Sequence, residues 1–202
     1  MLKLNRRHFL AGTAALLTAP SLDLAQTAAP AKGGTLRISV DQAASVIHPL
    51  LTRVNPEYMV TELLYSNLTR LKVDMTIEPD LAESWSANDA LTEWTFKLRA
   101  GVKFHDGSPF TATDVVETFK AILNPSNASP ARNNVGPIAD VTAADPLTAV
   151  FKLSGPYADF PVAMAYTVAR IIPASIATGD LKKLSTTAVG TGPFKLVSYE
   201  PD

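Results

Sequence analysis

Residues 81–120, LAESWSANDALTEWTFKLRAGVKFHDGSPFTATDVVETFK, decide the fold. Apolar and polar side chains alternate over residues 94–98, and this period of two predicts a half-buried strand. Gly101 predicts a turn, and residues 102–104 then predict a second alternating strand. Asp106 followed by Gly107 indicates another turn. The stretch is therefore expected to form two strands joined by turns, ahead of a helix.

The helix has recognisable start and stop signals. Thr111 followed by Asp114 fits a capping box, in which the hydroxyl and the carboxylate each meet a backbone amide that would otherwise be unpaired. Apolar residues then repeat at helical spacing over residues 115–123. Asn124 and Pro125 end the helix. Strands and helices do not alternate regularly along the chain, which favours an α+β fold with a mixed sheet and helices over a doubly wound sheet.

The rest of the chain gives coarser signals. A helix is predicted to start at Asn55 and Pro56, with the proline at the first helical position. Short strands are predicted from alternating or apolar runs at residues 36–40, 69–73, 149–153 and 194–199.

The N-terminus has the layout of an export signal. Lys3, Arg6 and Arg7 precede a short apolar segment, residues 9–17, which is too short to span a membrane. Residues 6–10, RRHFL, resemble a twin-arginine core, so we expect residues 1–31 to be a twin-arginine signal peptide. An ordinary Sec signal with a basic start remains the alternative.

Composition fits an exported domain. The net charge is −1, and removal of residues 1–31 takes away a net charge of +2 and leaves −3. This mild charge does not indicate a nucleic acid partner. The chain has no cysteine. We therefore expect no disulfide and no cysteine-linked lipid anchor, and a protein that is released into the periplasm.

No catalytic constellation emerges from the sequence. A serine hydrolase of the nucleophile-elbow type needs a string such as GxSxG, which is missing. His48 and His105 lie far apart without cysteines, so they predict no metal site, and we expect His105 to be a structural hydrogen-bonding residue. No glycine pair continues into a phosphate loop. The sequence thus predicts no catalytic residue, no metal, no cofactor and no enzyme.

Several strings, in register and in order, resemble the family 5 extracellular solute-binding proteins, which are the dipeptide-, oligopeptide- and nickel-binding subunits of bacterial ABC importers. They are GGTLRISV (33–40), HPL (48–50), LLYSNLTRL (63–71), LAESW (81–85), WTFKLRAGVKFHDG (94–107), PFTATDV (109–115) and GTGPFKLVSYEPD (190–202).

The resemblance implies the N-terminal portion of a periplasmic binding protein fold of the peptide-binding type. Residues 33–49 and 169–202 would be early strands of the first lobe, and residues 50–168 the family's extra N-terminal domain. Family members are about two and a half times as long as this chain. We therefore expect a truncated form that lacks the second lobe, and weak or no ligand binding by these 202 residues alone.

The resemblance also implies which residues contact a solute. Ligand contacts in the N-terminal half of the family come partly from the segment after the first strand and from a loop of the extra domain. The matching positions are Arg53, Asn55, Glu57, Arg132, Asn133 and Asn134. Arg132 would pair with a carboxylate of the ligand, and the asparagines would bind a peptide backbone. The alternative is that these are ordinary polar residues of loops.

Three function classes follow. The first is a monomeric periplasmic receptor that delivers a peptide or a similar small solute to an ABC permease in the membrane. The second is an exported cofactor-dependent enzyme, and the third is a stand-alone interaction domain. The sequence does not identify the solute.

Overall fold

A computed structural model of the chain describes residues 33–200. The chain divides into two compact units, one up to Ser39 and one from Val40 onward. Residues 33–39, the described part of the first unit, have no regular secondary structure. Leu36 and Ile38 are 83% and 61% exposed. The strand predicted over residues 36–40 is not formed, because a strand requires a hydrogen-bonded neighbour and this segment has none among the described residues.

The second unit contains six strands and four α-helices within the described residues. In chain order they are α1 (Asn55–Leu64), β1 (Thr69–Leu71), β2 (Ile77–Pro79), β3 (Ala82–Ala87), β4 (Glu93–Leu98), α2 (Ala112–Leu123), β5 (Ile138–Asp145), β6 (Thr148–Leu153), α3 (Phe160–Ala163) and α4 (Ala174–Ala177). Short 3₁₀ turns occupy Pro125–Asn127, Pro130–Asn133 and Leu181–Ser185. No helix among residues 33–200 is long and apolar enough to cross a membrane.

The main sheet has the order β3-β4-β6-β5, and β1 pairs with β2 in a separate hairpin. The α+β class is confirmed. All described pairings of the main sheet are antiparallel, whereas a mixed sheet was expected. Short turns join β3 to β4 and β5 to β6, and strands joined by short turns pair antiparallel. The β4 alternation predicted from the sequence is confirmed: Trp94, Phe96 and Leu98 are buried.

An aromatic cluster fills the space between the sheet and α2. Phe151 of β6 lies at its centre, and its ring meets Phe119 of α2 edge to face at a centroid distance of 4.9 Å. Phe96 and Phe160 meet the same ring at 5.5 and 5.2 Å. Each buried phenylalanine contributes about 1.5–3 kcal/mol, and each ring pair adds about 0.5–1.5 kcal/mol. This cluster holds α2 on the sheet.

The capping box predicted for α2 forms in part: the carboxylate meets a backbone amide, whereas the Thr111 hydroxyl donates to the carboxylate and accepts from no amide of the described residues. The Asp114 carboxylate accepts hydrogen bonds from the Thr111 N–H at 2.7 Å and from the Thr111 hydroxyl at 3.1 Å. Its other oxygen accepts from the N–H of Ala174 at 2.7 Å. The same carboxylate therefore starts α2 and fixes the beginning of α4, a link that sequence spacing did not indicate.

Two features of residues 81–120 differ from the sequence analysis. Residues 82–87 form strand β3, which no sequence pattern had indicated. The second alternating strand over residues 102–104 does not form, and only one antiparallel bridge, Lys103 with Pro109, is present there. The chain turns back too soon for a longer pairing, since the N–H of Gly107 donates to the Phe104 carbonyl.

The segment at the end of the described chain also differs from its prediction. Residues 194–199 form no strand, and Phe194 and Val197 are exposed. Tyr199 nevertheless anchors this segment, because its phenol donates to the Ala44 carbonyl at 2.8 Å. The assignment of residues 33–49 and 169–202 to a first lobe, and of residues 50–168 to an extra domain, stays a prediction.

His105 fixes the glycine-containing segment that precedes residues 194–199. Its Nε2 lies 2.9 Å from the Gly192 carbonyl, and its Nδ1 accepts from the Gly190 N–H at 3.3 Å. A neutral ring protonated on Nε2 satisfies both contacts. The segment runs directly over the end of α1, where a side chain at Gly190 would collide with the Leu64 carbonyl. The structural role predicted for His105 is confirmed.

His48 is buried at 4% exposure. Its Nδ1 accepts from the Leu50 N–H at 3.2 Å, so this nitrogen is unprotonated. Burial lowers the pKa of His48 below its ordinary value, and the backbone groups of His48 and Leu181 oppose this shift in part. The folded chain therefore holds His48 as a neutral ring more strongly than the unfolded chain does.

We expect His105→Ala to lower the free energy of unfolding by about 1–3 kcal/mol, because the Gly190 N–H and the Gly192 carbonyl both lose a partner. Lys195→Ala is the matched control: its ammonium donates to the His105 carbonyl from an exposed position, so its loss should cost about 0.5 kcal/mol or less. Urea unfolding of the three proteins measures both values. Equal stability of wild type and His105→Ala would contradict the role of the ring.

The buried His48 predicts a pH dependence. The free energy of unfolding should fall as the pH drops below about 6.5, the ordinary pKa of histidine, because the unfolded chain takes up the proton first. His48→Asn keeps an acceptor near the Leu50 N–H but does not titrate, so its stability should fall less over the same range. Urea unfolding at a series of pH values measures the difference, and parallel curves for the two proteins would refute it.

Candidate functional site

An open groove of about 590 Å³ lies at the start of α1. We call it the α1 groove. Its lining combines polar side chains with small apolar ones from four separate parts of the chain. The lining residues are Ser45, Val46, Leu51, Arg53, Val54, Glu57, Asn127, Ala128 and Ser185.

The start of α1 is built around Glu57. Val54 is the N-cap and has no side chain that can cap the helix, and Pro56 is the second helical residue, one later than predicted. The Glu57 carboxylate replaces the missing cap: it accepts from the Arg53 N–H at 2.7 Å and from the Val54 N–H at 3.4 Å. It also accepts from the Ser45 hydroxyl at 3.1 Å. Glu57 therefore shapes the groove from a buried position.

Arg53 lies at the mouth of the same groove. Its side chain is exposed, and its Nη2 donates to the Ala128 carbonyl at 3.4 Å. This contact joins the start of α1 to the loop after α2. Its charge also reaches Tyr58: burial, with smaller contributions from Tyr166 and Glu57, raises the pKa of the Tyr58 phenol, and Arg53 opposes that rise.

The opposite wall is the loop between the two 3₁₀ turns that follow α2. Ala128 has a left-handed backbone with φ of 49°, which reverses the chain at this point. Asn127 is fixed by its side-chain amide, which donates to the Ala121 carbonyl at 2.8 Å. The buried Ser129 hydroxyl donates to the Leu50 carbonyl at 2.8 Å. The loop is thus held against the segment that leads into α1.

A smaller chamber of about 170 Å³ adjoins the α1 groove. The two share Leu51, Asn127 and Ser185. The rest of the chamber lining consists of two leucines, Leu50 and Leu181, and two residues that can carry charge, His48 and Lys182. The α1 groove thus continues into a smaller recess.

The structure separates the six predicted site residues into three groups. Arg53 and Glu57 both line the α1 groove, although Glu57 is committed to backbone amides. Asn55 is exposed in the first turn of α1 and does not line the groove. The other three predicted residues are exposed on or beside the 3₁₀ turn Pro130–Asn133, outside the groove lining. They are Arg132, Asn133 and Asn134.

Sequence reasoning missed Ser45, Asn127 and Ser185 as groove residues. They lie far apart in the chain and have no common motif, so no local pattern links them. One signal was present: Ser129 followed by Pro130 is a typical start of a helical turn. The 3₁₀ turn that begins there, together with the Ser129 hydrogen bond to Leu50, holds the loop that carries Asn127 and Ala128. No cluster of three or more potential metal-binding side chains occurs among residues 33–200.

Comparison with known proteins identifies a family. The model of "Bacterial extracellular solute-binding proteins, family 5 Middle" matches residues 76–202. The match includes residues 81–120, which we call the signature stretch. It also includes the segment with Gly190 and Gly192 that His105 holds.

Individual relatives agree with this result. The "Probable D,D-dipeptide-binding periplasmic protein DdpA" of Escherichia coli K12 is 32% identical over 200 residues, covering 92% of this chain and 37% of DdpA. The periplasmic binding protein AgaA of A. tumefaciens R10, solved with agropinic acid, superposes with a TM-score of 0.73 at 28% identity, covering 77% of this chain and 32% of AgaA. NikZ from Campylobacter jejuni, solved with Ni(L-His), gives 0.71 at 28% identity, covering 80% and 32%.

The chain spans about a third of the length of these relatives. The family model covers well over half of this chain, and the relatives match both its sequence and its fold. The chain therefore belongs to family 5 of the bacterial extracellular solute-binding proteins.

Proposed function

We propose that the chain is part of a periplasmic receptor that binds a peptide or a similar small solute and delivers it to an ABC permease. The α1 groove carries this proposal, because it is a concave surface with a few polar side chains on which α1, the Asn127 loop and the Leu181–Ser185 turn meet. Concave sites with a few fixed polar groups are typical of small-molecule binding. Relatives named for D,D-dipeptides and for glutathione support a peptide-like solute.

In this proposal each part of the groove has a task. Arg53 supplies hydrogen-bond donors, Asn127 supplies an amide whose position is fixed by α2, and the adjoining chamber accepts an apolar group of the solute. Asn55 and the exposed residues Arg132, Asn133 and Asn134 would contact the outer part of a larger solute. Glu57 acts indirectly, because it holds the backbone that carries Arg53.

The transport cycle follows from binding. A solute that rests on the α1 groove would be enclosed when a facing lobe closes over it, and the closed form would dock on the permease. Family 5 consists of binding proteins, not enzymes, so the proposal contains no chemical step. Export of the protein through the signal at residues 1–31, by the twin-arginine route, is part of the proposal; that segment lies outside the described residues.

We expect solute binding without turnover. The exported protein that carries this chain, at its full natural length, should be stabilised against heat by the small-molecule fraction of a bacterial extract, since binding to the native state alone raises its stability. Native mass spectrometry should then recover the solute unchanged. A chemically converted solute would point to an enzyme, and the absence of any stabilisation would favour an interaction domain.

A further inference from the structure

We propose that Arg53 selects solutes that present a carboxylate to the α1 groove. This inference rests on the proposed function and adds to it a chemical class of solute and the residue that recognises it. Sequence reasoning had placed carboxylate recognition at Arg132, which the structure leaves outside the groove lining.

The Arg53 guanidinium has unused binding capacity. It carries five N–H donors, and its one hydrogen bond within residues 33–200 is the 3.4 Å contact with the Ala128 carbonyl. That distance exceeds the usual range for N–H···O bonds, so the contact is weak. No carboxylate among the described residues forms an ion pair with Arg53. A solute can therefore take the place of the carbonyl at little cost.

The groove contains one carboxylate, and it is already occupied. Glu57 is 4% exposed, and its two oxygens accept from the Ser45 hydroxyl and from the N–H groups of Arg53 and Val54. Arg53 and Glu57 are the two charged residues of the groove lining. With Glu57 held in this way, the charged group of the groove left for a solute is the Arg53 guanidinium, and Lys182 adds positive charge in the adjoining chamber.

Arg53 is also well placed to act. Its backbone is fixed by the 2.7 Å hydrogen bond from its own N–H to Glu57, so only the side chain has to be ordered on binding. A planar guanidinium matches a carboxylate through two parallel hydrogen bonds, which distinguishes it from the point charge of a lysine. A solute carboxylate would thus satisfy donors that the folded chain leaves free.

The test uses the protein at its full natural length and the small-molecule fraction of a bacterial extract, before and after its carboxyl groups are converted to methyl esters. Thermal stabilisation is titrated with each fraction for wild type, Arg53→Gln, Arg132→Gln and Arg99→Gln. Arg99→Gln is the matched control, because Arg99 is also an exposed arginine that donates to one backbone carbonyl, that of Asp80 at 3.2 Å. Unfolding in urea without extract checks that each variant folds.

The inference predicts that esterification of the extract removes the thermal stabilisation. Arg53→Gln should need about tenfold or more extract than wild type for the same rise in melting temperature. Arg99→Gln should behave as wild type. Three results would overturn it while the receptor function stands: esterified extract that works equally well, an Arg53→Gln titration equal to wild type, or a loss confined to Arg132→Gln. Extract that stabilises no variant, including wild type, would overturn the proposed function itself.

Discussion

The edge-to-face packing of Phe119 on Phe151 is the contact on which the rest of the described structure depends. It joins α2 to the middle of the antiparallel sheet, and the rings of Phe96 and Phe160 close around the same point. With α2 fixed, its two ends become anchors for other parts of the chain. Asp114 at its start holds the beginning of α4, and Asn127, just beyond its end, is tied back to Ala121. The loop that carries Asn127 in the α1 groove is thereby tied to α2.

The α1 groove illustrates how an acidic residue can shape a concave surface from a buried position. The Glu57 carboxylate accepts hydrogen bonds from the backbone at the start of α1, where Val54 cannot cap the helix. A carboxylate at the first turn is also favoured by the helix dipole. As a result the groove keeps the donors of Arg53 and loses the acceptors of Glu57. The balance between donor and acceptor groups, rather than the number of charged residues, decides what such a groove can bind.

The signature stretch has two structural tasks, and they explain why it identifies the family better than it identifies a solute. Its strands and α2 build the aromatic core, and its His105 turn holds the segment with Gly190 and Gly192 against the end of α1. Neither task places a signature residue in the groove lining.

The sequence alone determined the α+β class, the buried face of β4, and the start and end of α2, because each depends on short-range periodicity, capping or turn chemistry. It also indicated that His105 is structural, but tertiary packing decided that its partners are Gly190 and Gly192. Through a resemblance it also led to Arg53 and Glu57 as expected solute contacts, which stays a prediction, but it did not indicate that Glu57 caps α1. Tertiary structure decided the rest. Strand β3 depends on pairing with β4, residues 36–40 and 194–199 form no strand without a paired neighbour, and the groove joins Ser45, Asn127 and Ser185 across the chain. Such contacts depend on how distant segments pack, and local sequence patterns do not predict that packing.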